Sequence, residues 1–167
     1  VIGNGSNLLV GDRGIRGLVI EMLSKEDEIC VEDDCITVGA GMLLSKTANC
    51  AAAHGLTGME FAAGIPGSIG GAVVMNAGAY GGEMKDILKE VTVMTEKGEI
   101  LTLPAEELEM GYRTSIIKKK GYLVLGAVIV LEQGEQEVIK ARMKELTEQR
   151  VSKQPLEYPS AGSTFKR

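Results

Sequence analysis

The chain has 167 residues, 44% of them hydrophobic and 25% charged, with a formal net charge of −5. That length fits one sizeable domain or two small ones of ordinary globular composition. The acidic balance gives no bulk attraction to nucleic acid or an anionic membrane, and no apolar run approaches the roughly 20 residues of a membrane span.

In chain order, Val1 and Ile2 read as the tail of a strand running into the polar loop Gly3-Asn4-Gly5-Ser6-Asn7. Leu8, Leu9 and Val10 continue as strand or turn. Apolar runs at residues 17–22, 28–32 and 35–40, the last two joined by Asp33 and Asp34, predict a small meander. Residues 43–54 predict a helix closed by Gly55. A glycine-dense stretch follows, in which Ser68 is placed to cap a short helix through Val73 and Met75. Residues 87–94 predict a strand, with a hairpin turn at 96–99 and one helical turn at 104–108. Residues 122–131 are almost continuously apolar and predict a buried strand. Ile139, Met143 and Leu146 recur at helical spacing over 136–151. The tail from Gln154, rich in Pro, Ser and Gly, reads as loop. The pattern is α+β rather than a regular βαβ alternation. Both ends read as cut, so we expect a fragment of a longer protein.

The two glycine loops carry the chemistry. Gly3 and Gly5 allow successive backbone N–H groups to turn inward and form a concave nest for an anion. The second loop, with Gly64, Gly67, Ser68, Gly70 and Gly71, brings a helix start beside the same anion. Neither loop carries a lysine, which suits a diphosphate held by backbone. The same Gly-Asn-Gly-Ser-Asn is also a common tight turn, whereas the longer segment points to close approach of a ligand. No GK[ST] follows, so this is not a Walker loop.

Four stretches, "GNGSNLLV", "GIPGSIGGAVVMNAGAYGGE", "GYRTSI" and "QPLEYPSAGSTFKR", reach in this order from one end of the chain to the other. Together they closely resemble the UDP-N-acetylenolpyruvoylglucosamine reductases, the MurB family of bacterial flavoenzymes. The resemblance implies an FAD-binding domain of the vanillyl-alcohol oxidase or PCMH type, truncated at both ends. It covers residues 1–133, followed at 134–167 by a helix and the start of a substrate-binding domain. It implies non-covalent FAD, NADPH as co-substrate and a small-molecule UDP-sugar substrate, with no nucleic-acid or membrane partner. By motif, Gly3, Asn4, Gly5, Ser6, Asn7 and Leu8 would wrap the FAD. So would Gly64, Ile65, Pro66, Gly67, Ser68, Gly70, Gly71, Asn76, Gly78, Ala79 and Tyr80. Arg113 matches the family's active-site arginine and Ser163 its proton-delivering serine. The family also uses a carboxylate near its C-terminus, which has no counterpart in these residues.

Hydride addition to an enol ether conjugated to a carboxylate leaves an enolate, which a planar, permanently charged guanidinium suits and which must then take a proton. Tyr112 reads equally as a core edge or a wall against substrate. Arg167 reads equally as a diphosphate contact or a frayed terminus. His54 reads as a helix C-cap, Arg150 and Lys153 as favourable charges ending a helix, and Lys118, Lys119 and Lys120 as a solvated turn. Cys30, Cys35 and Cys50 show no ligand or disulfide pattern and fit a reducing cytoplasm; we assign no metal site. Two alternatives stand beside the reductase: another flavin oxidase of the same fold, and a non-catalytic nucleotide-binding module.

Overall fold

The computed structural model describes residues 1–23 and 29–153. Its centre is a five-stranded antiparallel sheet. β1 (Ile29–Glu32) and β2 (Cys35–Gly39) form a hairpin over the Asp33-Asp34 turn, with Asp33 left-handed at φ 54°. β6 (Leu88–Met94) and β7 (Ile100–Pro104) form a second hairpin, and β8 (Leu123–Val130) lies between the two, giving the order β1-β2-β8-β6-β7.

The central position of β8 explains its apolar run, although only one face of it is fully covered. Val124, Ala127 and Ile129 are buried, while Leu123, Leu125, Val128 and Val130 are half-buried. The strand expected to be buried lies at the centre of the sheet, with no exposed residue and one face more deeply covered than the other. The helices stack on one face only, so the strand alternates as an antiparallel strand does.

Two helices cover that face. α1 (Leu44–Ala53) buries Leu44, Ala48 and Ala51, and α2 (Ile69–Val74) buries Ile69, Ala72 and Val73. They meet Ile36, Val38, Val91, Val93 and Ile129 in one continuous core. α1 ends at His54, whose Nδ1–H donates to the Cys50 carbonyl at 2.9 Å, and the chain turns away at Gly55, φ 70°. A two-residue strand, β3 (Leu56–Thr57), pairs with β9 (Glu132–Gln133) and returns the chain to α1. There α4 (Gln136–Lys153) begins, and Gln136 Nε2 donates to Ala53 O at 2.8 Å. α4 buries only Ile139 and Leu146, with Met143 half-buried against the main core, so its stripe is narrow and the rest of it is mostly charged surface. A short helix, α3 (Ile116–Lys120), precedes β8.

The first 23 residues depart from expectation. The runs at 8–10 and 17–22 form no strand; Ile2 and Glu21 make one parallel bridge, with Ile2 N–H to Ile20 O at 2.9 Å. β-propensity alone leaves a segment extended, and a ladder needs a neighbouring strand.

Candidate functional site

The glycine-dense segment is laid across the edge of the core by specific bonds. Ser68 caps α2, accepting from Gly71 N–H at 3.4 Å. Ile69 N–H donates to Met42 O at 2.8 Å and Gly70 N–H to Ala40 O at 2.9 Å. β4 (Gly78–Ala79) and β5 (Gly82–Glu83) then form a miniature hairpin with Tyr80 at its tip, φ 53° and 39% exposed.

The glycines divide by what a side chain would meet. A Cβ at Gly70 would lie 3.0 Å from Ala40 Cβ, one at Gly78 2.6 Å from Gly82 O, and one at Gly82 2.6 Å from the Phe61 ring. Packing within the chain accounts for these three. Gly67 and Gly71 differ: their nearest neighbours, Ser6 Oγ and Ser68 Oγ, stand at 3.5 and 3.6 Å, so the protein itself leaves room for a side chain there. Ile65 is half-buried against the core, with its N–H donated to Ala62 O, while Pro66 is exposed.

The first glycine loop stands against the second. Ser6 Oγ donates to Pro66 O, and a Cβ at Gly3 would overlap the Ser68 hydroxyl. The N–H groups of Gly3, Asn4, Gly5, Ser6 and Asn7, and those of Gly67 and Ser68, find no acceptor among the described residues. Leu8 closes the loop through its N–H to Gly5 O at 3.2 Å, its side chain exposed. Two facing loops thus present unpaired donors and bare backbone, the requirement for a phosphate cradle.

Asn76 has a different role from its neighbours. Its side chain is completely buried. Nδ2 donates to Glu83 Oε2 at 2.7 Å and to Gly111 O at 3.1 Å, and Oδ1 accepts from Lys85 N–H at 3.0 Å. Every hydrogen-bonding group of the amide is used inside the protein, so Asn76 shapes the segment rather than offering a side chain to a ligand. Glu83 Oε1 pairs in turn with Lys85 Nζ at 2.5 Å, and the hydrogen bond to this carboxylate raises the lysine pKa.

That hub fixes Arg113. The turn Gly111–Thr114 holds Arg113 at φ 56°, and Asn76 ties the Gly111 carbonyl down. The guanidinium lies along the glycine segment, Nη1 donating to Asn76 O at 3.1 Å and Nη2 to Gly78 O at 3.0 Å. Two of its five N–H groups are used among the described residues, and the others find no acceptor there. Its other side faces the Tyr112 ring, 5.1 Å from the centroid. Tyr112 is 51% exposed, which removes the core-edge reading. Ser115, which the sequence did not single out, is buried and donates to Val74 O at 2.8 Å, locking the end of α2 to the Arg113 turn. No local signal marked it, since its partner Val74 lies 41 residues away along the chain.

Ser163 and Arg167 lie outside the described residues. Among the described residues no group of His, Cys, Asp and Glu could hold a metal ion, and no helix is long and apolar enough to cross a membrane.

Residues 1–104 match the model of the FAD binding domain family. The UDP-N-acetylenolpyruvoylglucosamine reductase of Clostridium tetani is 59% identical over the whole chain, which covers 54% of that protein. The reductase of the same name from Staphylococcus saprophyticus is 54% identical over 99% of the chain and 54% of its own length. The crystal structure of UDP-N-acetylenolpyruvylglucosamine reductase (MurB) from Thermus caldophilus superposes with a TM-score of 0.79 at 38% identity, covering 98% of the chain and 59% of that protein. The chain thus spans about half the length of the curated relatives it matches. With the α+β architecture and the paired glycine loops described above, these matches mean that the chain belongs to the FAD-binding domain family.

Proposed function

We infer that the protein reduces the enolpyruvyl ether of UDP-N-acetylglucosamine to UDP-N-acetylmuramate, with non-covalently held FAD and with NADPH as reductant. The similarity to the named reductases along the whole chain supports the substrate class. The residues present fit FAD: the unpaired amides of Gly3–Asn7, Gly67 and Ser68 would hold its diphosphate, and Gly67 and Gly71 leave space for it. When bound, the flavin supplies the hydride that it has taken from NADPH. The reading sets the reaction in the cytoplasm. It assigns residues 1–133 to the FAD-binding domain and residues 134–167 to the approach to a substrate domain, with α4 packed against the FAD-binding body.

The observation that carries this reading is the docking of Arg113 on the carbonyls of Asn76 and Gly78. A guanidinium fixed on the glycine segment, with donors left over, is preorganised for a carboxylate held beside that segment. When the alkene accepts hydride, negative charge grows on the carboxylate oxygens, and a donor already in position stabilises it without reorganising. Tyr112 then walls the substrate side of the guanidinium. Ser163 would deliver the proton to the enolate carbon, and Arg167 would meet the substrate's diphosphate.

Arg113→Lys in the intact protein tests this. Lysine keeps the charge but loses the planar fork that grips two carbonyls and an anion together. Flavin reduction by NADPH should be nearly unchanged in stopped flow, while flavin reoxidation by the enolpyruvyl substrate should slow about a hundredfold to a thousandfold. A loss of less than about threefold in the second half-reaction would overturn the assignment. Ser163→Ala should show the same asymmetry.

A further inference from the structure

Arg150 stands in the last turn of α4, where its charge suits the helix C-terminus. The fold adds something to that. α4 leans on the turn Glu60–Ala62, and Arg150 comes to rest on Gly64, the first residue of the second glycine loop. A Cβ at Gly64 would meet Arg150 Cδ at 3.2 Å, Nη1 at 3.7 Å and Nε at 3.9 Å. The arginine side chain thus lies over the bare backbone of Gly64.

The side chain is half-buried, and it makes no hydrogen bond or ion pair among the described residues. Arg13 and Arg16, on the exposed N-terminal segment, also make none, but they are solvated; the other two described arginines, on the body, are engaged. Arg142 pairs with Glu145 at 2.5 Å, and Arg113 holds two carbonyls. A half-buried cation without a partner is costly and gains most when an anion arrives. Two residues along the loop, Pro66 O accepts from Ser6, so the unpaired amides of both loops belong to the same neighbourhood. Neither loop contains a lysine or arginine of its own. The backbone offers partial charges only; the full positive charge at this edge comes from α4.

We propose that Arg150 is the cation of the glycine cradle and recognises a phosphate of a nucleoside diphosphate lying across the loop from Gly64 to Gly67. The proposal rests on the nucleotide-binding reading above. It makes α4 part of the binding site, whereas by sequence α4 is an amphipathic helix whose Arg150 is a helix-end charge. The diphosphate of FAD and that of a UDP-sugar share this chemistry, and the test separates them.

The experiment compares the intact wild-type protein with Arg150→Gln and Arg150→Lys. Three affinities are measured: FAD and riboflavin on apoprotein by flavin fluorescence, and UDP on FAD-loaded protein by calorimetry. Thermal unfolding of each apoprotein is recorded alongside. Loss of a charge-assisted hydrogen bond to phosphate predicts FAD binding weakened by about ten- to a hundredfold in Arg150→Gln. Riboflavin, which lacks phosphate, should bind as before, the apoprotein should melt as before, and Arg150→Lys should recover part of the loss. Unchanged FAD affinity with UDP weakened to that extent would also support the residue's role and identify the substrate as the source of the phosphate. Unchanged affinity for both, or equal losses for FAD and riboflavin with a lowered melting temperature, would overturn it. Wild-type protein that binds neither FAD nor UDP would fail the parent reading, a result distinct from a wild type that binds and an Arg150→Gln that binds as well.

Discussion

The two glycine loops are built in opposite ways. The loop from Gly64 is woven into the body: Ile69 and Gly70 bond to the strand-to-helix connection, Asn76 is buried with four bonds through its side chain and carbonyl, and Gly82 packs on Phe61. The loop from Gly3 rests on it through Ser6 and the close approach to Ser68. It belongs to a segment whose Leu9 and Leu18 are 100% and 87% exposed. The difference separates two jobs. The second loop is anchored from Ile69 onward by bonds within the protein, keeps the Gly67 and Ser68 N–H groups open, and positions Arg113. The first keeps its donors open and depends on its neighbour for position.

Breaking the hub should have the largest effect. Asn76→Ala leaves the Glu83 carboxylate, the Gly111 carbonyl and the Lys85 N–H without their buried partner. It also places alanine at φ 42°, where asparagine is tolerated. A loss of about 2–4 kcal/mol is expected, lowering Tm by about 5–15 °C. A fall of less than about 2 °C would deny Asn76 its role.

Gly70→Val comes next. Its side chain would enter the contact with Ala40, so the apoprotein itself should lose about 1–3 kcal/mol by denaturant titration. Normal stability with weakened FAD binding would instead make Gly70 a ligand-facing glycine.

Ser6→Ala probes the weaker loop. Removing the Ser6–Pro66 bond at an exposed position should leave Tm nearly unchanged. FAD binding should weaken by about two- to tenfold, because the first loop loses its register on the second. A large Tm change with normal affinity would reverse the assignment of the two loops.

The smallest effect belongs to the surface. Lys119 pairs with Glu109 at 2.6 Å, and its hydrogen bond and charge hold the Glu109 carboxyl below the usual carboxylate range. A lowered folded pKa means a contribution present above the unfolded pKa and lost as pH falls through the folded one. Both side chains are about half exposed, so Lys119→Met should leave Tm at pH 7 almost unchanged and soften only the onset of acid unfolding.

Much of this architecture was legible in the sequence where a local signal and its tertiary use agree. Asp33-Asp34 turned a hairpin, Gly55 followed a helix end, Ser68 capped α2, and the repeat Ile139, Met143, Leu146 marked the face of α4 that packs. In 1–23 the strand expected at Ile2 appears only as a single bridge to Glu21, and the run at 17–22 forms no extended ladder for lack of a neighbouring strand, which composition does not record. At the site, the glycine density was visible, but its two causes were not. Gly70 and Gly67 look alike in sequence, and only the position of Ala40 separates a packing glycine from an open one. Asn76 read as a ligand contact because its burial depends on Gly111, 35 residues away. Arg150 read as a helix-end charge because Gly64 lies far from it along the chain.

The central claim is that the paired loops hold a dinucleotide through backbone amides, over a glycine that the protein's own packing does not require. Gly67→Val tests it most directly, with FAD affinity by fluorescence titration and the thermal stability of the apoprotein measured on the same preparation. The account predicts an affinity lowered by about tenfold or more, because the branched side chain occupies the approach of the cofactor, with the apoprotein Tm within about 2 °C of wild type. Unchanged FAD affinity, or a loss that only follows a collapse in stability, would contradict it.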